Sequence, residues 1–451
     1  MPDASTRHQV ELLVDEAGLD LPLTQWPLPR AAVQRAIDAL PATLPDALDA
    51  ARSHVERSLR AQDESRLTLR LRNKDEAIAG FGDDATAGTS LGVRSRSWSA
   101  DRLAVQLGGR VDPAATHGGQ FRLDDSAVAT ELLGWQLQAW AHRSWWGPGW
   151  QGSLVLGNNA PPFAGVGFQR ASASTSTPPL LAWLGPWNFE FFVAQDEGGR
   201  HAFFVGNRFT FKPWRRLEIG LTRTAQWGGA GHPNSVKSFA KMLLGIGVNP
   251  NTPAEVPEDP ANEMSGYDLR LRCGDALRCA VYTQLIGEDA THGWPGRFLG
   301  LYGIESWSAD GTQRWFGEFA ETLCGGFREH NPMRPCAYRN HGYPEGYASA
   351  GRWIGSPFGP DSRVLTLGWI DAAGGTTLRV HRGRIGSRVG SFSALDHDPQ
   401  TSGPLLGLSA RQAFQWEGID LVAELDWLHV RAPDGAHTDA RIGLQWRASL
   451  D

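Results

Sequence analysis

The chain is poor in several things that would otherwise place it quickly. Its 451 residues include only 4 Cys, 4 Met and 6 Tyr, and 43 Lys and Arg stand against 49 Asp and Glu, a formal net charge of −6. Nucleic-acid recognition needs a basic face, so that class of partner has no support. No apolar run approaches the ~18 residues that a membrane helix requires, and mean hydropathy is −0.33. A membrane protein of this composition has to cross with strands, whose alternating pattern disappears in a hydropathy average. The opening Met1-Pro2-Asp3-Ala4-Ser5 has neither the basic nor the apolar region of a signal peptide. The expectation is either a cytoplasmic protein or a mature chain whose signal peptide has been removed. HExxH, Walker and dinucleotide-binding patterns are absent. Gly88-Thr89-Ser90-Leu91-Gly92 matches a hydrolase nucleophile elbow in letters only, because that motif requires a strand-turn-helix and an alternating strand follows here.

What is abundant is glycine, at 53 residues, and tryptophan, at 19. The first part of the chain has helical spacing: Val10, Leu12, Leu13 and Ala17; then Val33, Ala36, Ile37 and Leu40; then Leu44, Leu48, Ala51, Val55 and Leu59. Pro27, Pro29, Pro41 and Pro45 separate these stripes. Three short helices bury too little to stand alone, so residues 1–62 are expected to form a small helical bundle docked on the rest of the chain. From Arg66 the period changes to two. Leu67, Leu69 and Leu71 alternate with Thr68, Arg70 and Arg72; Tyr267, Leu269 and Leu271 with Asp268, Arg270 and Arg272; Ala440, Ile442, Leu444 and Trp446 with Arg441, Gly443 and Gln445.

Such segments recur to the end, eighteen of them between 66–73 and 438–448, joined alternately by short turns and by long Gly/Pro-rich loops near 145–163, 226–265, 324–361 and 384–403. The fold class expected is therefore mainly β: a transmembrane antiparallel barrel of about eighteen strands over residues 63–451, with short turns in the periplasm and long loops outside. Trp98, Trp135, Trp183, Trp187, Trp214, Trp307, Trp315, Trp369, Trp416 and Trp446 sit beside the short turns. That is where an interfacial aromatic girdle belongs, because indole is amphipathic.

Several motifs resemble one family. Leu12-Leu13-Val14-Asp15-Glu16-Ala17-Gly18, Pro22-Leu23-Thr24-Gln25-Trp26-Pro27-Leu28-Pro29, Trp146-Gly147-Pro148-Gly149, Leu156-Gly157-Asn158-Asn159-Ala160-Pro161-Pro162, Gly185-Pro186-Trp187 and Leu217 to Gly229 are similar to segments of the Wzi-like capsule-assembly proteins. The resemblance runs from the helical part past the middle of the barrel and weakens after about residue 260. It implies an eighteen-stranded outer-membrane barrel with a periplasmic helical bundle, and a lectin-like role in attaching or organising capsular or other extracellular polysaccharide. Partners it implies are that polysaccharide, outer-membrane lipid and envelope polysaccharide-export proteins. Trp145, Trp146, Asn158, Asn159 and Trp227 are expected in polypeptide folded into or across the barrel mouth.

The loop from Cys324 to Trp353 is the richest candidate surface for a glycan. Arg328, Arg334, Tyr338, Arg339, Tyr343, Tyr347 and Trp353 combine ring faces that stack on sugars with guanidinium forks that grip carboxylates. The competing reading is a loop that folds over the barrel and is held by its own aromatics. Inward-register Arg66, Arg70, Arg72, Arg94, Arg96, Arg270, Arg272, Arg441 and Arg447, with Asp268, Asp420, Glu424 and Asp426, either close the lumen through ion pairs or hold an acidic glycan. Cys273–Cys279 and Cys324–Cys336 is the disulfide pairing that keeps each bridge on one side of a membrane. Zinc held by Cys324, His330, Cys336 and His341 would need an unusually open spacing. No metal, cofactor or catalytic residue is expected. The leading function is polysaccharide attachment, with an open channel or export duct as the alternative and a polysaccharide-modifying enzyme as a third possibility.

Overall fold

The computed structural model describes the whole chain except residues 75–77, 85–88, 101, 116–118, 175–178, 198–200, 246–260, 275, 289, 292–293, 296–297, 325–336, 341, 387–402, 418, 434 and 451. The chain starts with helices. Asp3 caps α1 (Ala4–Leu12) by accepting from the Thr6 backbone N–H at 2.8 Å. One π-helical turn, Leu13–Ala17, follows and stops at Gly18 with φ +78°, a left-handed conformation that costs glycine nothing. Then come α2 (Arg30–Asp38) and α3 (Asp46–Ala61). Their buried residues are those of the helical stripes: Val33 and Ile37 in α2, and Ala51, Val55 and Leu59 in α3. Leu40 lies just beyond α2 and is only partly buried.

The remainder is a closed antiparallel barrel of twenty-one strand segments. Arg66–Arg72 pairs on one side with the last strand, Gly435–Ser449, and on the other with Ser90–Arg94, which closes the ring. Three crossings are each broken in two: Ser90–Arg94 with Trp98–Ala100, Leu103–Gln106 with Gly108–Val111, and Phe121–Arg122 with Ser126–Leu132. The described residues therefore make eighteen crossings. Just past the second break the backbones approach closely at Gly108, where a Cβ would lie 2.2 Å from the Asp124 carbonyl oxygen. Period-two alternation sorts the two faces. In Arg363–Asp371, Val364, Thr366 and Ile370 point inward and buried while Leu365 and Leu367 point outward. Outward Val281, Ile304, Leu406, Leu425 and Ile442 continue the apolar wall that such a barrel presents to lipid.

Short connections gather at one end, beside the helices, and long ones at the other. At the helical end Trp98, Trp214 and Trp416 are 56, 69 and 62 % exposed, as members of an interfacial girdle are. Trp307 departs from the expected girdle. It is 3 % exposed, and its Nε1 donates to Glu16 at 3.1 Å. Its strand ends under the helical segment, so the indole is used to dock that segment. The expected Cys273–Cys279 bridge spans a short connection, with Cα atoms 5.4 Å apart. Cys324 is also disulfide-bonded, and its expected partner Cys336 lies outside the described residues.

The largest apolar cluster lies inside the barrel. Trp146, Trp150, Leu154, Val155 and Leu156 pack there with the wall residues Phe192, Phe204, Tyr282, Leu301 and Phe316, and with Tyr338, Tyr347, Trp353 and Ile354 from the longest loop. A second cluster joins Val10, Leu13, Val33, Val55 and Leu59 of the helical part to Phe81, Trp145 and Trp307. The helices thus share a core with the barrel contents.

Candidate functional site

The interior is organised by segment 145–162, which turns inward after the strand Trp135–His142. Lumen-facing polar side chains of the wall strands receive it. Glu318 accepts from the backbone N–H groups of Trp150 at 2.8 Å, Gln151 at 3.3 Å and Gly152 at 2.7 Å, and from the Tyr282 hydroxyl at 3.1 Å. Glu190 accepts from Trp146 Nε1 at 3.1 Å and Gln25 Nε2 at 2.7 Å. Gln284 accepts from the Leu154 N–H at 2.8 Å and donates to the Trp146 carbonyl at 2.9 Å. A turn buried in a barrel would otherwise leave several backbone donors unpaired, at roughly 1–3 kcal/mol each. Gly149 is required by the tightness of this turn, because a Cβ there would lie 2.1 Å from the Gly152 carbonyl oxygen.

The helical part meets this plug from the other side. Gln25–Trp26 forms a short antiparallel ladder with Trp145–Trp146. Arg7, fully buried, donates to the carbonyls of Pro148 and Gly149 and to Glu11, each at 2.7 Å, and lies over the rings of Trp150 and Phe81 at 3.9 and 4.4 Å. Glu11 is also paired with Arg314 at 2.8 Å, and Arg314 with Glu305 at 2.6 Å. Arg270 bridges Glu305 and Asp15 at 2.7 and 2.6 Å. Arg314 Nε donates to His8 Nδ1 at 2.8 Å and His8 Nε2 reaches the Gly311 carbonyl at 2.9 Å, which fixes a neutral imidazole. Burial first, and Arg314 second, push the His8 imidazole down to about 3.

The longest loop seals the other side. The Tyr338 hydroxyl donates to the Leu154 carbonyl at 2.9 Å, that of Tyr347 to the Val155 carbonyl at 2.8 Å, and that of Tyr343 to the Gly228 carbonyl at 3.1 Å. The Trp353 carbonyl accepts from Asn159 Nδ2 at 3.0 Å, and Arg352 Nη2 donates to Asn159 Oδ1 at 3.0 Å. Burial pushes both tyrosine hydroxyls, Tyr338 and Tyr347, well above their ordinary range.

This placement divides the residues singled out in the sequence. Trp145, Trp146, Asn158 and Asn159 lie in the plug, and Asn158 Nδ2 donates to the Gly80 carbonyl at 3.1 Å. Trp227 does not join them. It stands at a strand end, donates to Ser238 Oγ at 3.2 Å and packs on Phe239 at 4.9 Å, so it props the loop helix α4 (Val236–Leu244). Tyr338, Tyr343, Tyr347 and Trp353 are brought together, but buried, with no ring face open to solvent. Arg339 stays partly exposed, 3.8 Å from Asp361. Arg328 and Arg334, like His330, Cys336 and His341, lie outside the described residues. The carboxylates Glu190, Glu305 and Glu318 were not singled out from sequence. Their signal is a lone acid on the inward register of an aromatic-rich strand, as in Trp187-Asn188-Phe189-Glu190-Phe191-Phe192.

Comparison with known proteins places this arrangement. Residues 62–441 match the family described as capsule assembly protein Wzi. An uncharacterized 55.8 kDa protein from the cps region of Klebsiella pneumoniae is 30 % identical over 331 residues. The match takes in 71 % of this chain and 64 % of that protein, so this chain spans just under two thirds of its relative's length. Among solved structures, the Escherichia coli outer membrane protein Wzi, described as a carbohydrate-binding β-barrel involved in group 1 capsule assembly, superposes with a TM-score of 0.83 at 23 % identity, over 100 % of this chain and 98 % of that one.

Proposed function

Because the chain belongs to the Wzi capsule assembly family, we propose that it is an outer-membrane, lectin-like protein that binds capsular or related extracellular polysaccharide and helps to assemble or attach it at the cell surface. The observation that carries this reading is the filled lumen. A packed apolar core with hydrogen-bonded backbone stands where a porin of this size has water. That disfavours the rival reading of a channel or export duct. In the proposed orientation the helices and short turns face the periplasm and the long loops face outside. The glycan then meets the solvent side of the loop that seals the plug, with Arg339 and the loop arginines Arg328 and Arg334 as its cationic contacts. The buried Tyr338, Tyr343, Tyr347 and Trp353 hold that surface in shape. Outer-membrane lipid surrounds the wall, and export proteins of the periplasm are the partners proposed for the helical end. No bond is cleaved or transferred in this role.

Cell-bound and released polysaccharide, measured in the source bacterium with and without the gene, tests the reading. Polymer still made but shed into the medium is the expected result. Polymer accumulating inside the cell would replace attachment by export, and robust conductance of the purified protein in planar bilayers would overturn the closed-barrel premise.

A further inference from the structure

Beside the plug, the lumen keeps a sizeable space. A cavity of about 420 Å³ lies between the helical part and the wall strands near the point of ring closure. Eight arginines and five aspartates line it, without lysine or glutamate. Part of this charge is matched. Asp84 pairs with Arg70, Arg143 and, at 3.4 Å, Arg110; Asp83 pairs with Arg411 at 3.3 Å; Asp124 pairs with Arg110 at 2.9 Å.

Near the helices the matching is looser: Asp125 and Glu64 attract Arg94, but neither forms an ion pair with it among the described residues. Arg66 and Arg94 are direct register partners on neighbouring strands, and Arg447 sits on the other neighbour, opposite Thr68. Like charges facing each other across a ladder repel, so an anion between them would stabilise the sheet. Arg66 and Arg94 both donate to the Ala61 carbonyl at the end of α3, at 3.5 and 3.0 Å, which relieves part of the repulsion. Arg94 Nε has no partner among the described residues. Arg447 makes no hydrogen bond or ion pair among them; Asp420 is its register partner on the preceding strand, and Arg411, Asp3, Arg66 and Arg70 are the charges that act on it most strongly. On the same lining the Oδ1 of Asn158, itself 1 % exposed, is left without a donor among the described residues.

We propose that this cavity is a second glycan subsite, separate from the outer loops, that takes one acidic sugar unit from the helical side. The carboxylate or phosphate of the sugar sits among Arg447, Arg94 and Arg66, and Asn158 Oδ1 accepts a hydroxyl. The volume falls within the roughly 300–1,000 Å³ of small-molecule sites. Guanidinium forks suit carboxylate and phosphate alike. Exposed Arg30 belongs to the lining, so the cavity reaches solvent at the helical end. The inference rests on the polysaccharide function proposed above and adds to it a contact with the acidic component of the polymer before it reaches the surface.

Calorimetric titration of the full chain in detergent with glucuronate, glucose 1-phosphate, inorganic phosphate and glucose tests it. Glucuronate or glucose 1-phosphate should bind and glucose should not, and whichever of the two anions binds more tightly identifies carboxylate or phosphate as the preferred group. Arg447→Gln should weaken binding at least about tenfold, with Arg447→Lys recovering part of it. Arg94→Gln gives a second variant, and heat-modified gel migration shows that each variant is folded. No binding by either sugar anion, unchanged affinity in both Gln variants, or inorganic phosphate binding as tightly as the sugars would overturn the subsite. If the sugars fail while cells still lose polymer on gene deletion, only the subsite falls. If polymer retention is also independent of the gene, the function itself falls.

Discussion

Replacing Arg7 by Met tests whether helix and plug are one packed unit. Met has comparable reach and apolar bulk, so the change removes the guanidinium and little volume. Three hydrogen bonds of 2.7 Å are lost, two to the Pro148 and Gly149 carbonyls and one to Glu11, together with the stacking on Trp150 and Phe81. Glu11 keeps Arg314 at 2.8 Å, so it is not abandoned as an isolated charge. Breaking one member out of a buried ionic network costs about 3–5 kcal/mol. At about 1.4 kcal/mol per factor of ten, the open population of the helical segment should rise by roughly two to three orders of magnitude. Amide hydrogen exchange reads this directly: protection in α1 should fall by that factor, while amides of strands away from the plug, such as Ile419–Ala432, keep theirs. Unchanged protection in α1, or equal loss in every strand, would refute the role of Arg7 as the tie between the two halves of the filling.

Two further outcomes are expected. Glu318→Ala leaves the Trp150, Gln151 and Gly152 N–H groups without their acceptor, so the plug should loosen by several kcal/mol at roughly 1–3 per orphaned donor. Planar-bilayer recordings should then show open events absent from the parent protein, and a silent Glu318→Ala barrel would count against the plug as the seal. Acid should release the helical segment through His8. Its folded value of about 3 lies below the unfolded ~6.5, so the neutral imidazole contributes fully above pH 6.5 and loses that contribution as pH falls towards 3. By pH 4.5 the loss is about 3 kcal/mol, at 1.36 kcal/mol per pH unit. Glu11, pushed up by burial, works in the opposite sense. The readout is therefore the difference between the parent and His8→Gln in proteolysis of the helical segment at pH 7.5 and 4.5, and identical profiles would exclude His8.

The wall of this protein was legible in its sequence because a period of two is local. Leu67, Leu69 and Leu71 announce an outward face without knowledge of any partner strand, and the helical stripes around Val33 and Val55 are equally local. The contents of the barrel were legible only in part. A loop that stacks on sugars and a loop that packs into a lumen use the same residues, since Tyr and Trp offer an apolar body and a polar tip to either. Nothing within the stretch Tyr338 to Trp353 distinguishes the two; the difference lies with Leu154 and Val155, far away in sequence, whose carbonyls accept the tyrosine hydroxyls. Trp307 shows the same limit. Its position beside a short turn is a girdle position, but Glu16 claims its N–H. The arginine-lined cavity needs Asp83, Asp84 and arginines from strands that meet only when the ring closes.

The contact of Arg7 with residues 148–149 has a mechanical meaning as well. In the attachment role proposed above, a long hydrated polymer at a cell surface is dragged by flow, and the protein that holds it has to carry that force somewhere. Here a pull on the loop sealing the plug passes through Tyr338 and Tyr347 to residues 154 and 155, along the inward turn to the Pro148 and Gly149 carbonyls, and through Arg7 into α1. At each step it is shared with the surrounding wall by Glu318, Glu190 and Gln284. The load path is braced along its length by the surrounding wall, so tension is spread over many hydrogen bonds and no single loop has to bear it.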